Sequence, residues 1–227
     1  MKILGIDTSG SACSAAVMEN GRLVCEEYLD HGLTHSVQLM PLIDACLARA
    51  GMQIVEMDGF AVSVGPGSFT GLRIGISTVK GLAFKNNTPC VGVSTLKALA
   101  YSQKSDLGSY IICPIMDARR DEYYNALLKN DLTYIKSDRA IRGSELYSEL
   151  ISLNKNVVFL GDGAEKFLKT YSSDLFRLAN NSSLRQNATG VALLAYEAFL
   201  NNEYTTADKL FIDYLRLPQA EREYNAK

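Results

Sequence analysis

The fold is best predicted from one stretch of the chain, Val62-Ser-Val-Gly-Pro-Gly-Ser-Phe-Thr-Gly-Leu-Arg-Ile-Gly-Ile-Ser77. Apolar residues alternate with small ones up to Val64, which indicates a buried strand that ends at Gly65-Pro66-Gly67. From Thr70 the apolar spacing becomes three and four, which predicts a helix to about Asn86. A strand, a glycine turn and the start of a helix could hold an anion on free backbone N–H groups.

The predicted helix carries a row of small residues beside its apolar row. The apolar row is Leu72, Ile76, Val79 and Ala83, and the small row is Gly71, Gly75 and Thr78. Because a glycine inside a helix costs roughly 1 kcal/mol relative to alanine, the small row needs a packing reason. A helix of another subunit could approach closely there, in which case Gly75→Leu should remove self-association and leave the fold intact. The alternative is that the glycines let the helix sit tightly on its own sheet.

Composition narrows the class of protein. The chain has 227 residues, a hydrophobic content of 47% and a net charge of −2, which disfavours strong nucleic-acid binding by the chain alone. Five cysteines are scattered without CxxC spacing, so we expect reduced thiols. The N-terminus enters a strand directly and no run of 18 apolar residues occurs, so we expect a cytoplasmic protein without a membrane span.

A strand ending in an aspartate occurs twice, at Asp7 and at Asp117. Each is followed by a turn, two more strands and a helix. The repeat predicts an α/β protein of two ribonuclease-H-like domains with mixed sheets and flanking helices, as in actin, sugar kinases and Hsp70. We place the domains at 1–103 and 104–227, with C-terminal residues completing the first domain.

The two aspartate turns differ in what they can bind. Asp7 is followed by Thr8 and Ser9, and a strand-end carboxylate beside small hydroxyl residues can hold a metal–phosphate group. Asp117 is followed by two arginines, without the glycines that let backbone approach phosphate. We therefore interpret Asp7, Thr8, Ser9 and Asp117 as the vestige of a nucleotide site. The alternative for Asp7 is a hydrogen-bonded strand-end carboxylate.

Other catalytic patterns are weak. His31 and His35 have metal-ligand spacing, but the predicted helix begins only near Ser36 and no third ligand is nearby. The sequence Gly161-Asp162-Gly163-Ala164 follows a predicted strand and could form an adenosine-side glycine turn, but it is short and more typical of an ordinary strand-to-helix turn. No Gly-x-Ser-x-Gly motif is present. We therefore assign no catalytic residue and no metal site.

The chain resembles the bacterial TsaB family. The resemblance covers most of the length and is carried by Ile3–Ser9, Gly65–Gly75, Gly92–Leu96, Met116–Arg120 and Tyr214–Arg216. The catalytic paralogue of that family, TsaD, is similar in fold but carries an HxxxH metal motif after the central helix. Residues 91–105 of this chain contain no histidine. The resemblance is therefore to the TsaB side of the superfamily.

The resemblance implies a non-catalytic subunit that TsaD requires to transfer a threonylcarbamoyl group to a tRNA adenosine next to the anticodon. It implies a heterodimer with TsaD, a homodimer when alone, the ATPase TsaE as a further partner, and tRNA contact only through the complex. No cofactor is required, and an adenine nucleotide is expected at or near the contact with the partner. The implied contact lies on helices 36–50 and 71–86, at Val37, Leu39, Met40, Ile43, Gly71, Gly75, Thr78 and Leu82.

The competing hypothesis is an enzyme in its own right. A stand-alone ATPase or phosphotransferase would use Asp7 and Asp117, and a metalloprotease-like hydrolase of the same fold would need a metal set. The sequence shows no complete catalytic set for either reaction.

Overall fold

The first sheet follows the strand pattern read from the N-terminal half. A computed structural model of the chain describes residues 1–30, 34–101, 110–180 and 185–215. The strands of the first sheet are β1 (Lys2–Asp7), β2 (Cys13–Glu19), β3 (Arg22–Leu29), β4 (Gly59–Gly65) and β5 (Cys90–Ser94). Their order in the sheet is β3-β2-β1-β4-β5, and the central strand β1 pairs antiparallel with β2 and parallel with β4.

Helices cover both faces of this sheet because residues of β1 alternate between them. Leu4 and Ile6 face a core shared with α1 (His35–Ala50) and α2 (Phe69–Phe84). Ile3 faces the opposite core, which includes α3 (Thr95–Tyr101) and α6 (Ala188–Leu200). Helices α1 and α2 both connect parallel strands, β3 to β4 and β4 to β5, so they run in the same direction on one face.

The second sheet repeats the first. Its order is β10-β9-β6-β7-β8, so the three antiparallel strands and the two parallel ones occupy the same places as in the first sheet. This confirms the predicted repeat and the two ribonuclease-H-like sheets. The elements are β6 (Ile111–Asp117), β7 (Glu122–Leu128), β8 (Tyr134–Arg142), α4 (Gly143–Leu153), β9 (Val157–Leu160), α5 (Ala164–Thr170) and β10 (Phe176–Leu178).

The C-terminal part of the chain returns to the first sheet. The α6 residue Ala192 packs on Gly5, where an added Cβ would lie 2.8 Å from the alanine Cβ. Thr205 forms an antiparallel bridge with Cys90, and the Asp213 N–H donates to the Val64 carbonyl at 2.8 Å. Residues 188–213 therefore pack with the first sheet. The proposed domain boundary at 103 and 104 lies outside the described residues.

Two elements differ from the sequence prediction. The sequence predicts the third strand of the second repeat at Leu132–Lys136, whereas β8 spans Tyr134–Arg142, because β7 pairs with it as far as Glu122. Strand β10 was not predicted, since three residues carry too little periodicity to identify a strand. Across the described ranges, we find no helix with the length and apolar character needed to span a membrane.

Candidate functional site

Asp7 lies at the end of β1 and is almost fully buried, with 1% of its surface exposed. Its Oδ1 atom accepts hydrogen bonds from the Ser9 N–H at 2.9 Å and the Ser9 hydroxyl at 2.7 Å, and its Oδ2 atom accepts one from the Ser63 hydroxyl. All three donors belong to this chain. This geometry corresponds to the alternative interpretation of Asp7 as a hydrogen-bonded strand-end carboxylate.

Burial shifts the pKa of the Asp7 carboxyl group. Desolvation raises the pKa of the Asp7 carboxyl above its ordinary value, and the hydrogen bonds from Ser63 and Ser9 oppose that rise without cancelling it. The folded state thus binds a proton more tightly at Asp7 than the unfolded state does. The contribution of Asp7 to the free energy of unfolding therefore falls as the pH rises from about 3.9, the ordinary pKa of an aspartate, through the raised pKa of the folded state.

We expect Asp7→Asn to remove this pH dependence. An asparagine amide can accept from Ser9 and donate to the Ser63 hydroxyl, so the packing is kept while the buried charge is lost. The stability of the variant relative to the unmodified chain should rise between pH 4 and pH 8, as measured by urea unfolding. Asp174→Asn, at an exposed position, is the control and should show no such trend. A difference that stays constant with pH would contradict the prediction.

The second aspartate turn is built differently. Asp117 is exposed at the end of β6, and the Lys166 ammonium of α5 lies 2.9 Å from both of its carboxylate oxygens. The Arg119 N–H also donates to Asp117 at 2.8 Å. One turn therefore holds a buried acid without a cation among its hydrogen-bond donors, and the other holds an exposed acid paired with a lysine.

The glycine turn after β4 packs directly on the first aspartate turn. The Ser68 N–H donates to the Ser9 carbonyl at 2.7 Å, and the Thr8 hydroxyl donates to the Gly71 carbonyl at 2.7 Å. Ser68 also caps α2, since its hydroxyl accepts from the Gly71 N–H at 3.2 Å. Two backbone N–H groups of the predicted anion-binding turn, those of Ser68 and Gly71, are thus bonded within the chain.

The same contact explains the small row of α2. A Cβ at Gly71 would lie 2.0 Å from the Thr8 carbonyl oxygen, and a Cβ at Gly75 would lie 2.4 Å from the Thr8 hydroxyl oxygen. The glycines therefore let α2 sit tightly on its own sheet, which is the alternative that the sequence left open. The prediction that Gly75→Leu leaves the fold intact is wrong, because the new side chain would collide with Thr8.

The predicted partner contact needs correction at four positions. Gly71 and Gly75 are buried against Thr8, and Leu39 and Ile43 are buried in the core beneath α1 with 1% exposure each. None of these four can touch another molecule while the chain is folded in this way. Of the other four predicted residues, Val37 and Met40 are exposed, and Thr78 and Leu82 are half-buried.

The outward rows of α1 and α2 form an exposed surface that we call the α1–α2 face. Its most exposed apolar side chains are Phe84 at 87% and Val37 at 68%. A groove of about 450 Å³ lies on it, where Ser36 of α1 and Arg73 of α2 both contribute to the lining. The face comprises Val37, Met40, Pro41, Asp44 and Ala48 from α1, and Thr70, Arg73, Ile74, Ser77, Gly81 and Phe84 from α2.

Sequence reasoning missed an aromatic cluster at one end of this face. The Arg73 guanidinium lies 3.8 Å from the centre of the Phe69 ring, and its Nε donates to the Tyr214 hydroxyl at 3.3 Å. The Phe69 and Tyr214 rings lie 5.4 Å apart. Tyr214 was part of the motif that carried the family resemblance, but nothing in the sequence placed it beside α2.

The remaining sequence candidates do not assemble into a site. His35 Nε2 lies 3.0 Å from the Gly10 carbonyl oxygen, and His31 lies outside the described residues. Over the parts of the chain that the structure describes, no three histidine, cysteine or acidic side chains are grouped to hold a metal ion. The five cysteines are buried and unpaired. Gly161-Asp162-Gly163 forms the turn between β9 and α5.

Comparisons with known proteins match the chain to proteins of tRNA threonylcarbamoyladenosine synthesis. The profile described as TsaD, tRNA N6-adenosine threonylcarbamoyltransferase, matches residues 32–180. The tRNA threonylcarbamoyladenosine biosynthesis protein TsaB of Bacillus subtilis is 31% identical over 229 residues, covering 99% of this chain and 98% of that protein.

Solved structures extend the same comparison to the fold. A Pseudomonas aeruginosa protein, described as similar to the peptidase YeaZ, superposes with a TM-score of 0.83 at 28% identity over 95% of this chain and 99% of its own. An activator of the 2-hydroxyisocaproyl-CoA dehydratase from Clostridium difficile shares only the fold, with a TM-score of 0.53 at 12% identity over 89% of this chain and 97% of its own. Together with the near full-length match to the Bacillus protein, these findings show that the chain belongs to the TsaB family of tRNA threonylcarbamoyladenosine biosynthesis proteins.

Proposed function

We propose that this chain is a non-catalytic subunit, required by a TsaD homologue for transfer of the threonylcarbamoyl group to a tRNA adenosine next to the anticodon. The observation that supports this most is the contrast between two parts of the first domain. The Asp7 carboxylate is hydrogen-bonded to Ser9 and Ser63 of its own chain, whereas the apolar side chains of the α1–α2 face are exposed to solvent.

The state of the two acids argues against phosphoryl transfer by this chain. The Asp7 carboxylate oxygens accept hydrogen bonds from Ser9 and Ser63, so a metal ion could bind them only by replacing these partners. Asp117 is paired with Lys166. A metal-bound triphosphate would have to displace these partners on both sides. The stand-alone ATPase or hydrolase is therefore the weaker hypothesis.

The α1–α2 face is the proposed partner contact. Val37 and Met40 are exposed one turn apart on α1, and Phe84 is exposed at the end of α2, so the face presents apolar side chains of the kind found in protein contacts. We propose that a TsaD homologue covers it in the working complex and that a second copy of this chain covers it when the chain is alone. TsaE is the further partner, and tRNA is bound only through the complex.

We propose that the adenine nucleotide implied by the resemblance binds at or near this contact rather than at Asp7. The groove beside Ser36 and Arg73 is open, whereas the turn at Asp7 is filled by Ser9 and Ser68. We also propose that the complex acts in the cytoplasm, since five unpaired cysteines suit a reducing compartment.

Reconstitution with the TsaD and TsaE homologues of the same organism tests the proposal. Threonylcarbamoyladenosine in tRNA would be measured by mass spectrometry of nucleosides, with and without this chain. We expect modification only when the chain is present, and full modification with Asp7→Asn and Asp117→Asn. Equal modification without the chain would contradict the requirement. Turnover of MgATP by the purified chain alone, lost in Asp7→Ala, would favour the enzyme.

A further inference from the structure

The turn between β6 and β7, residues 118–121, which we call the arginine turn, has an unusual backbone. Arg119, Arg120 and Asp121 have φ angles of 65°, 55° and 56°. Asparagine, aspartate and glycine are tolerated in this left-handed region, whereas an arginine there is strained. Within the described ranges, these are the only three consecutive non-glycine residues that share the conformation.

The chain uses unstrained residues for the same purpose elsewhere. In the hairpin between β2 and β3, the two positions with positive φ are Asn20 at 50° and Gly21 at 78°. Asparagine and glycine in place of Arg119 and Arg120 would therefore stabilise the arginine turn. Strain that the surrounding structure holds in place is a feature of functional sites, so the two arginines need a role outside the stability of the turn.

Hydrogen bonds within the chain hold the arginine turn in this shape. The Ala118 N–H donates to the Glu122 carbonyl at 2.9 Å, and the Gly143 N–H donates to the Asp121 carbonyl at 2.9 Å. The Tyr171 hydroxyl donates to Asp121 Oδ2, also at 2.9 Å. These bonds involve backbone groups and the one acid of the turn, and they do not involve the arginine side chains.

The guanidinium groups of Arg119 and Arg120 are available to a ligand. Both side chains are exposed, and in the part of the chain that the structure describes neither forms an ion pair within 4 Å. The neighbouring acid Asp117 is paired with Lys166 instead. A guanidinium is a planar fork of N–H donors that matches two oxygens of a phosphate group. The pair therefore suits a ligand with phosphate groups.

The arginine turn lies on the same side of the molecule as the first aspartate turn. Gln186 is 3% exposed and packs on Gly10, which follows Ser9 in the first turn. Its amide also faces Asp162, which lies next to Asp117. Because the first turn packs on the start of α2, this side is also the one where the α1–α2 face begins. A tRNA held by a partner on that face would therefore come close to the arginine turn.

We propose that Arg119 and Arg120 bind phosphate groups of the tRNA backbone when the chain is part of its complex. The TsaB family serves tRNA modification, so tRNA is a polyanion that the complex meets. Two phosphate contacts are too few to hold tRNA by themselves, which agrees with the net charge of −2 and with binding only through the complex. The inference rests on the proposed function, because it specifies what this subunit contributes to tRNA binding.

Variants of the full chain, each assembled with the TsaD homologue, test the contact. Arg119→Asn/Arg120→Gly should weaken tRNA binding roughly tenfold at low salt and should reduce the slope of log K against log salt by about 1 for each arginine. The same variant should unfold at a higher urea concentration than the unmodified chain, because the strain is relieved. Fluorescence anisotropy of labelled tRNA over a range of salt concentrations measures the slope.

Two further variants serve as controls. Arg119→Lys/Arg120→Lys keeps both charges, so it should keep most of the salt slope and leave stability unchanged. Arg22→Gln/Lys155→Gln removes two exposed cations outside the arginine turn and should change neither quantity.

The outcomes separate the contact from the proposed function. An unchanged salt slope in Arg119→Asn/Arg120→Gly overturns the phosphate contact, and a loss of stability in that variant overturns the strain argument that supports it. If the variant weakens binding of the TsaE homologue and leaves tRNA binding unchanged, the arginines contact an acidic protein surface and the proposal is wrong. The requirement for the subunit is tested separately by leaving the chain out of the reconstitution, so it can hold when the contact fails.

Discussion

Gly71→Ala is expected to lower the free energy of unfolding by about 3 kcal/mol, at the upper end of the usual cost of overpacking. The added methyl group would lie 2.0 Å from the Thr8 carbonyl oxygen, which belongs to the backbone and cannot rotate away. In the same helix, Gly81→Ala is the matched control. No atom outside the helix's own backbone and adjacent residues lies within 4 Å of a Cβ there, so helix propensity should raise stability by about 1 kcal/mol. Urea unfolding measures both.

A second pair of variants distinguishes the two contacts of Thr8. A methyl group at Gly75 would meet the Thr8 hydroxyl, whereas one at Gly71 would meet the Thr8 backbone. In the double variant Thr8→Ala/Gly75→Ala, part of the stability lost in Gly75→Ala should therefore return. In Thr8→Ala/Gly71→Ala, none of the stability lost in Gly71→Ala should return. Equal recovery in both backgrounds, or a Gly71→Ala chain as stable as the unmodified one, would contradict close packing of α2 on this turn.

Gly71 and Gly75 show which part of the packing the sequence pattern does not predict. The change from alternating to helical spacing after Gly65 predicts β4 and α2 correctly, because each period follows from how a strand or helix is buried. The spacing also shows that Gly71 and Gly75 share a side of α2. It does not show what lies across from that side, since Thr8 is more than 60 residues away in the chain.

The same limit applies to the repeat and to the partner contact. Local order along the chain predicts the strand pattern at both aspartates, and the two sheets confirm it. For α1, the spacing of Leu39, Ile43, Cys46 and Leu47 already indicates a core-facing row, and the structure buries it. The family resemblance instead predicted that Leu39 and Ile43 contact the partner. Arg73 beside Tyr214 could not be predicted, because tertiary folding alone brings them together.

Val37→Glu is expected to weaken binding to the TsaD homologue about 100-fold and to stop tRNA modification at low subunit concentration. Val37 is 68% exposed on the α1–α2 face, so the fold tolerates a charge there, and an acid in the first turn suits the helix dipole. Once a partner covers the face, the new carboxylate would replace an apolar side chain at the contact, at a cost of about 3 kcal/mol.

A second valine provides the matched control for this prediction. Val55 is 63% exposed but lies in a short 3-10 turn after α1, outside the α1–α2 face. Val55→Glu should leave both affinity and modification unchanged, and both variants should keep the free energy of unfolding within about 0.5 kcal/mol. Titration calorimetry with the TsaD homologue measures affinity. Both variants place the same charge at a valine of similar exposure. If Val37→Glu and Val55→Glu bind the TsaD homologue with equal affinity, the contact therefore lies outside the α1–α2 face.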